Sequence, residues 1–301
     1  MQHNLGRTQA KHALKRVARV LPPSLRERGA NYLSRSRGVQ DRDILGIPMR
    51  VEGVNHSEVD YDDAWLIGLI SEADGFIDLG CNVGFFSLAC CVLRPESRVL
   101  AVDANPDCAA ATAANLVRNG FGERSQAVST FVSDERSEVR FNTVGLGAAG
   151  SGVEGLSHTA EEFGVATVAQ ADTLDAIVAR TGFVADLIKV DVEGAEREVL
   201  AGAVQTVLAS SPRLLVEMHS GGSLTMEGNV KDILTWCDAN DYAAWYLAEG
   251  ERLTDPARVA HRGRCHLLLQ PKDHPIPPII EGIPQSAPIS SVLERIKIAE
   301  A

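Results

Sequence analysis

Carboxylates and glycines in this chain recur where a strand gives way to a turn. Residues 76–84 read Phe-Ile-Asp-Leu-Gly-Cys-Asn-Val-Gly, which sets Asp78, Gly80, Asn82 and Gly84 at fixed offsets around a strand exit. Glycine permits a sharp turn and the close approach of a ligand because it carries no Cβ. An ionised aspartate only accepts hydrogen bonds, so Asp78 suits a ligand with donors or positive charge. A dinucleotide pyrophosphate matches poorly: its fingerprint needs G-x-G-x-x-G at a helix N-terminus, and here the turn offers Gly80 and Gly84. An ordinary strand-to-helix turn is the other reading of the same residues.

The next strand-like run, Arg98 to Asp103, also ends on an acid. One carboxylate can accept from both hydroxyls of a ribose diol, and Asp103 is placed for that contact. Asn105 and Pro106 behind it supply a helix cap and first turn, and Asn105 joins the expected cofactor-binding set. Asp134, after Phe131-Val132-Ser133, either accepts from an adenine amino group or shapes a turn. Further on, Asp186-Leu-Ile-Lys-Val-Asp-Val-Glu-Gly-Ala-Glu196 places Lys189 inside an apolar strand, where an ammonium needs a carboxylate or a ligand as partner. Asp191 and Glu193 occupy the exit of that strand. Glu217 and His219 end the run Leu214-Leu-Val-Glu-Met-His219 at a spacing of two, so both face the same side of a sheet.

An alternation of strands and helices has to carry these residues. The pattern predicts a helix over 60–73, then strand 76–79, helix 84–93, strand 98–102, helix 106–119 and strand 127–132. After an insertion ending in strand 165–169 come helix 173–180, strand 185–190, helix 194–208, strand 213–218, helix 228–240 and strands 242–247 and 264–269. Such alternation implies a parallel sheet with helices on both faces, and ligands bind along the C-terminal ends of its strands. That rule sets Asp78, Asp103, Asp191 and Glu217 along one rim. Gly145, Gly147, Gly150, Gly152 and Gly155 mark a flexible loop or an unstructured insertion, and prolines from Pro271 to Pro288 exclude regular structure in a tail expected to wrap the surface or hang free.

The chain has 301 residues and a net charge of −11, with 45% apolar and 23% charged residues, a globular composition. The charge is uneven. Residues 1–38 hold nine Lys/Arg against Glu27, leaving −19 for the rest. An acidic body argues against nucleic acid as substrate and favours a small neutral or cationic acceptor. The basic arm contains a candidate amphipathic helix within 7–34, a solvated appendage in the first instance, with a membrane surface or a partner protein as the other readings. Three regions are expected: an arm over 1–60, a catalytic domain over 61–270 and the tail over 271–301. The six cysteines show no metal-ligand spacing and read as reduced thiols. No apolar run reaches membrane-spanning length and no signal-peptide pattern opens the chain, so the expected compartment is the cytoplasm.

The offsets of Asp78, Gly80 and Gly84 fit S-adenosylmethionine, a cationic sulfonium with an amino-acid tail. Taken together, Ile77-Asp-Leu-Gly-Cys-Asn-Val-Gly84, Val102-Asp-Ala-Asn-Pro106, Thr173-Leu-Asp175, Leu187 to Glu196, Val199-Leu-Ala-Gly-Ala203 and Val216-Glu-Met-His219 resemble the FkbM-type S-adenosylmethionine-dependent methyltransferases over about residues 75–250. The resemblance implies a Rossmann-like class I methyltransferase fold, an α/β architecture with a mostly parallel seven-stranded sheet. It also implies methyl transfer to a hydroxyl of a sugar or secondary metabolite. Asp103 stands where the family more often has Glu, and the shorter acid still reaches a ribose.

A neutral hydroxyl is a poor nucleophile, and a positioned base typically supplies ~10²- to 10⁴-fold. His219 is the first candidate for that base, with Asp191 and Lys189 as alternatives and Glu193 and Glu217 in the surrounding network. Asp191, Glu217 and His219 could instead hold a divalent metal, although such groups more often form a hydrogen-bonded network. The competing functions are an NAD-dependent oxidoreductase, with Asp103 on an NAD ribose, and a non-catalytic binding module of the same fold.

Overall fold

The computed structural model describes residues 38–54, 63–143, 146, 152–153 and 165–299. The helix expected within 7–34 and most of the glycine-rich loop lie outside the described residues. Among the described residues, no helix is long and apolar enough to cross a membrane.

The strands in chain order are β1 (Gln40–Ile44), β2 (Ile47–Val51), β3 (Gly75–Leu79), β4 (Arg98–Asp103), β5 (Ser125–Ser129), β6 (Phe131–Val132), β7 (Glu138–Thr143), β8 (Gly152–Val153), β9 (Val165–Asp172), β10 (Leu187–Val190), β11 (Arg213–His219), β12 (Tyr242–Tyr246), β13 (Glu251–Arg252) and β14 (Arg264–Pro271). The helices are α1 (Asp63–Ile70), α2 (Phe85–Leu93), α3 (Pro106–Arg118), α4 (Leu174–Thr181), α5 (Glu196–Ala201), α6 (Val204–Ser210), α7 (Met226–Ala239) and α8 (Ile289–Ala299). The central sheet runs β13-β12-β14-β11-β10-β3-β4-β5. Strands β11, β10, β3, β4 and β5 are parallel, and β14 lies antiparallel to both β11 and β12. The expected seven strands are present, with the two-residue β13 added at the edge.

Side chains alternate across this sheet. Phe76, Leu187 and Leu215 enter a layer with α1, α2, α8 and the β1–β2 hairpin, while Ile77, Ile188 and Leu214 enter the opposite layer with α4, α6 and α7. Burying each such side chain contributes about 1.5–3 kcal/mol. Lys189 shares the face of Leu187, so its charge lies inside the first layer.

Three local expectations change. The strand expected over 127–132 divides at Thr130: β5 stays in the central sheet, and Phe131–Val132 joins a separate four-stranded sheet through β9. The helix expected over 194–208 breaks at Gly202-Ala203 into α5 and α6. A Cβ on Gly202 would lie 2.1 Å from the Ser133 carbonyl oxygen, so the break lets two backbones meet. The tail also contributes core. Ile279, Ile280 and Ile283 are buried, and α8, absent from the sequence reading, sets Ile289, Val292 and Ile296 into the layer that holds α1. Trp65 Nε1 donates to the Ile283 carbonyl at 2.9 Å, joining α1 to that segment.

Candidate functional site

Strand β3 delivers the chain into the glycine turn with its polar groups already committed. The N–H groups of Gly80 and Cys81 both donate to the Val102 carbonyl, at 2.9 and 3.1 Å. Asn82, at φ 50, donates its N–H to Asp103 Oδ2 at 2.7 Å. From α3, Thr112 Oγ1 donates to the Asn82 carbonyl at 2.9 Å and Asn115 Nδ2 to the Val83 carbonyl at 3.0 Å. Both glycines are required by their surroundings. Gly80 has φ +73 and Gly84 φ +84, and a Cβ on Gly84 would meet Thr112 at 2.8 Å.

Asp103 closes β4 with each carboxylate oxygen held by a backbone N–H, Oδ2 by Asn82 and Oδ1 by Asn105 at 2.8 Å. Burial nevertheless pushes its carboxyl up to about 6, against the lowering effect of those two donors. Each oxygen retains a lone pair that can accept a further donor. Asn105 is fixed differently. Its Oδ1 caps α3 by accepting from Asp107 N at 3.0 Å, and its Nδ2 donates to Thr143 Oγ1 at 2.8 Å. Asp134 is exposed beyond β6, where Ser133 Oγ donates to it at 3.1 Å.

Asp78 is fully buried. Ser87 Oγ of α2 donates to its Oδ2 at 2.7 Å, and Lys189 Nζ lies 3.5 Å from Oδ1, which has no hydrogen-bond donor. Register explains the encounter, because Lys189 pairs with Asp78 across β10 and β3. Lys189 Nζ also sits 3.2 Å from Asp191 Oδ2 and donates to the Gly80 carbonyl at 3.1 Å. Burial alone would favour the neutral amine, but Asp191, Asp78 and Glu217 hold the ammonium above its ordinary value.

One rim of the sheet gathers the remaining acids around His219. Its Nε2 lies 3.3 Å from Glu217 Oε1, 3.8 Å from Glu193 Oε2 and 4.0 Å from Asp191 Oδ1. On its other side, Nδ1 donates to Glu196 Oε1 at 2.9 Å. Glu196, fully buried at the start of α5, also accepts from Gly194 N at 2.9 Å and from Asn229 Nδ2 of α7 at 3.0 Å. Burial disfavours the imidazolium, yet the hydrogen bonds to Glu196 and Glu217 raise His219 to about 11. These carboxylates favour the imidazolium form, with Nε2 turned towards Glu217.

Glu217 is anchored by Arg264 NH1 at 2.8 Å and His266 Nε2 at 3.2 Å, both on β14. Burial works to raise its carboxyl, while the hydrogen bonds from His219 and His266 keep it well below the usual carboxylate range. Lys189, Asp191, Glu217 and His266 line a narrow cavity of about 20 Å³, room for one water-sized group, with Leu66 and Phe86 as apolar walls.

The structure thus brings Asp78, Lys189, Asp191, Glu193, Glu217 and His219 into one connected group, with Gly80 joined to it through Lys189. Sequence reading gave no role to Ser87, Glu196, Asn229, Arg264 or His266. Arg264 and His266 become visible once β14 is known to lie antiparallel to β11, which sets His266 opposite Glu217. Glu196 had a signal of its own, an acid at a helix start that turns out to be fully buried.

A parallel sheet carrying an antiparallel pair at one end, with a glycine turn after β3 and an acid closing β4, defines a Rossmann-like class I methyltransferase fold. The model of the methyltransferase FkbM domain matches residues 78–243, more than half of the chain. The chain belongs to the FkbM methyltransferase family. No curated protein sequence matches it. Among solved structures, it is similar to the methyltransferase FkbM from Methylobacillus flagellatus, at 14% identity and TM-score 0.42, over 65% of this chain and 43% of that one. An O-methyltransferase from Bacillus cereus in complex with SAH matches at 11% identity and TM-score 0.40, over 83% and 91% of the two chains. For TYW2 of P. horikoshii in complex with MeSAdo the figures are 12%, 0.42, 77% and 70%.

Proposed function

We propose that this chain is an S-adenosylmethionine-dependent O-methyltransferase acting on a hydroxyl of a small molecule, a sugar or secondary metabolite. The observation that carries this reading is the placement of Asp103 and the Asp191–Glu217–His219 cluster at the ends of β4, β10 and β11, all on the same edge of the sheet. Asp103, whose oxygens each keep a free lone pair beside a backbone N–H, is the group for the ribose, and the turn from Gly80 to Gly84 passes beside it through the Asn82 contact. When bound, S-adenosylmethionine supplies an electrophilic methyl group. The chain's own tasks are to hold the acceptor oxygen in line, keep water out and accept the hydroxyl proton, for which the carboxylate of Asp191 is the group beside an imidazole that its acidic neighbours keep protonated. Lys189, kept protonated by its carboxylates, acts as a fixed cation that orders Asp78 and Asp191.

Family membership favours methyl transfer over hydride transfer, and a charge of −19 outside the first 38 residues supports a small acceptor over nucleic acid. Titration calorimetry with S-adenosylmethionine, S-adenosylhomocysteine and NAD tests the donor. Micromolar binding of the adenosyl ligands, weakened by Asp103→Ala, is expected. A preference for NAD, or no adenosyl binding, would overturn the reading. Turnover in a screen of glycosides and hydroxylated metabolites then separates an enzyme from a binding module.

A further inference from the structure

We propose that Asn115 is a positioning residue for the glycine turn, joining the β1–β2 hairpin to the binding of the adenosyl ligand, whose identity rests on the S-adenosylmethionine reading. The hairpin has only two strands, so the backbone groups on the outer edge of β2 need partners from elsewhere. Asn115 of α3 and Asn119, which caps the C-terminus of that helix, supply them. Asn119 Oδ1 accepts from Arg50 N and its Nδ2 donates to the Arg50 carbonyl, both at 3.1 Å. Asn115 repeats the pattern at Glu52, accepting from its N–H at 2.8 Å and donating to its carbonyl at 3.0 Å. The spacings match, because four helical residues rise about 6 Å and two strand residues about 6.6 Å.

Asn115 also reaches the glycine turn, which Asn119 does not. Its Nδ2 donates to the Val83 carbonyl at 3.0 Å, and its Oδ1 accepts a further hydrogen bond from Arg118 NH1 at 2.8 Å. Two lone pairs and two N–H groups are thereby all used, which fixes the orientation of the amide. The side chain is fully buried, so each partner it loses leaves a polar group unsatisfied. The peptide unit between Val83 and Gly84 is held at both ends, its carbonyl by Asn115 and its N–H by the Cys81 carbonyl at 2.8 Å. The turn needs such support, because Asn82 and Gly84 both lie in the left-handed region. From the hairpin side the approach is equally close: a Cβ on Gly53 would lie 2.9 Å from Val83 Cγ1. Hairpin and turn therefore meet at Val83, with one saturated amide bonded to both.

S-adenosylhomocysteine calorimetry on the full chain and two variants tests the coupling, with urea denaturation reporting whether each variant is folded. Asn115→Ala is expected to weaken binding about tenfold, the equivalent of one hydrogen bond. Asn119→Ala loosens the same hairpin without touching the turn and is expected to leave affinity unchanged. Should Asn115→Ala fail to fold, amide hydrogen exchange on the unsubstituted chain decides instead. Linkage is reciprocal, so saturating ligand slows exchange of the Glu52 N–H by a comparable factor. Equal affinity losses in the two variants, undiminished binding in a folded Asn115→Ala chain, or a Glu52 exchange rate indifferent to ligand would each overturn this inference alone. An unsubstituted chain that binds no adenosyl ligand defeats the donor assignment and this inference together.

Discussion

The carbonyl oxygen of Asp191 lies 1.8 Å from the position a Cβ on Gly80 would occupy. The glycine turn after β3 and the acidic exit of β10 are therefore packed backbone to backbone, and the missing side chain at Gly80 sets their separation. A glycine that could be read as clearance for a ligand is demanded first by a neighbouring strand. Gly80→Ala should destabilise the fold by about 2–4 kcal/mol, combining an unfavourable φ with a backbone clash. Gly120 has φ +84 but nothing within 4 Å of its virtual Cβ, so Gly120→Ala isolates the conformational part at about 1 kcal/mol. Urea denaturation of the two variants checks this, and equal losses would show that the Asp191 contact carries no energy.

Ligand affinity should depend on pH through Asp103. Its carboxyl is raised to about 6, with burial the leading cause. Ribose hydroxyls donate to the ionised form and so favour it. Affinity for S-adenosylhomocysteine is then full above pH 6 and falls by up to tenfold per unit below it. Stability of the ligand-free chain runs the other way. A carboxyl whose folded pKa exceeds the unfolded value opposes folding when ionised, so this contribution improves as pH drops from 6 towards 3.8. Asp103→Ala should weaken binding about 10- to 100-fold at neutral pH and flatten the profile between pH 5 and pH 7. Calorimetry across that range decides, and a wild-type affinity independent of pH removes Asp103 from the ribose contact.

Much of this site was legible because its residues sit at strand ends, where local pattern and topology agree. Asp78, Asp103, Asp191 and Glu217 were placed on one edge by alternation alone, and the spacing of Glu217 and His219 correctly put them on one face. The legible motifs do not all hold ligands. Asp175 of Thr173-Leu-Asp175 accepts from Thr206 N and Thr206 Oγ1, both at 2.7 Å, and so fixes α6 against α4. What stayed hidden depends on contacts distant in sequence. Asn229 reaches Glu196 from α7, and Arg264 and His266 reach Glu217 only through an antiparallel register that no local spacing announces. The helix over 289–299 was masked by the prolines before it, although Ile289, Val292 and Ile296 already carry a helical spacing.

Acid should loosen the second sheet through Asp172. This residue closes β9, where Arg136 Nε donates to Oδ1 at 3.0 Å and Arg180 NH1 to Oδ2 at 2.8 Å. The hydrogen bond from Arg136 is the leading reason its carboxyl falls to about 2, helped by Arg180 and the N–H of Thr173. A lowered folded pKa means that the stabilisation is present above the unfolded value of 3.8 and is lost as pH falls towards 2. Arg136 is largely exposed, so salt screens its share. Asp172→Asn should lower the melting temperature by a few degrees at pH 7 and leave it unchanged near pH 2. An equal deficit at both pH values would exclude an ionic origin.

The C-terminal helix is the part of the fold whose removal gives the clearest contrast between scaffold and site. Ile289, Val292 and Ile296 are buried in the layer that also holds Trp65, Leu66, Leu69 and Ile70 of α1. Gly68 of α1 accommodates this packing, since a Cβ there would lie 2.6 Å from Ile280 and 3.0 Å from Val292. Each of the three aliphatic side chains contributes about 1.5–3 kcal/mol by burial, and ending the chain after Pro288 removes all of them while exposing the face of α1. That total is comparable with the whole stability of a typical domain, about 5–15 kcal/mol. The truncated chain should therefore unfold at markedly lower urea concentration or fail to accumulate in soluble form. A finer test is Ile296→Ala, expected to cost about 2–5 kcal/mol because little of the surrounding core can collapse into the space. Since α8 packs in the layer of α1, with Ile289, Val292 and Ile296 buried there, the ligand affinity of Ile296→Ala under native conditions should match that of the unsubstituted chain. An Ile296→Ala protein as stable as the unsubstituted chain would exclude the scaffold role, and weakened S-adenosylhomocysteine binding at full stability would show that α8 serves the site instead.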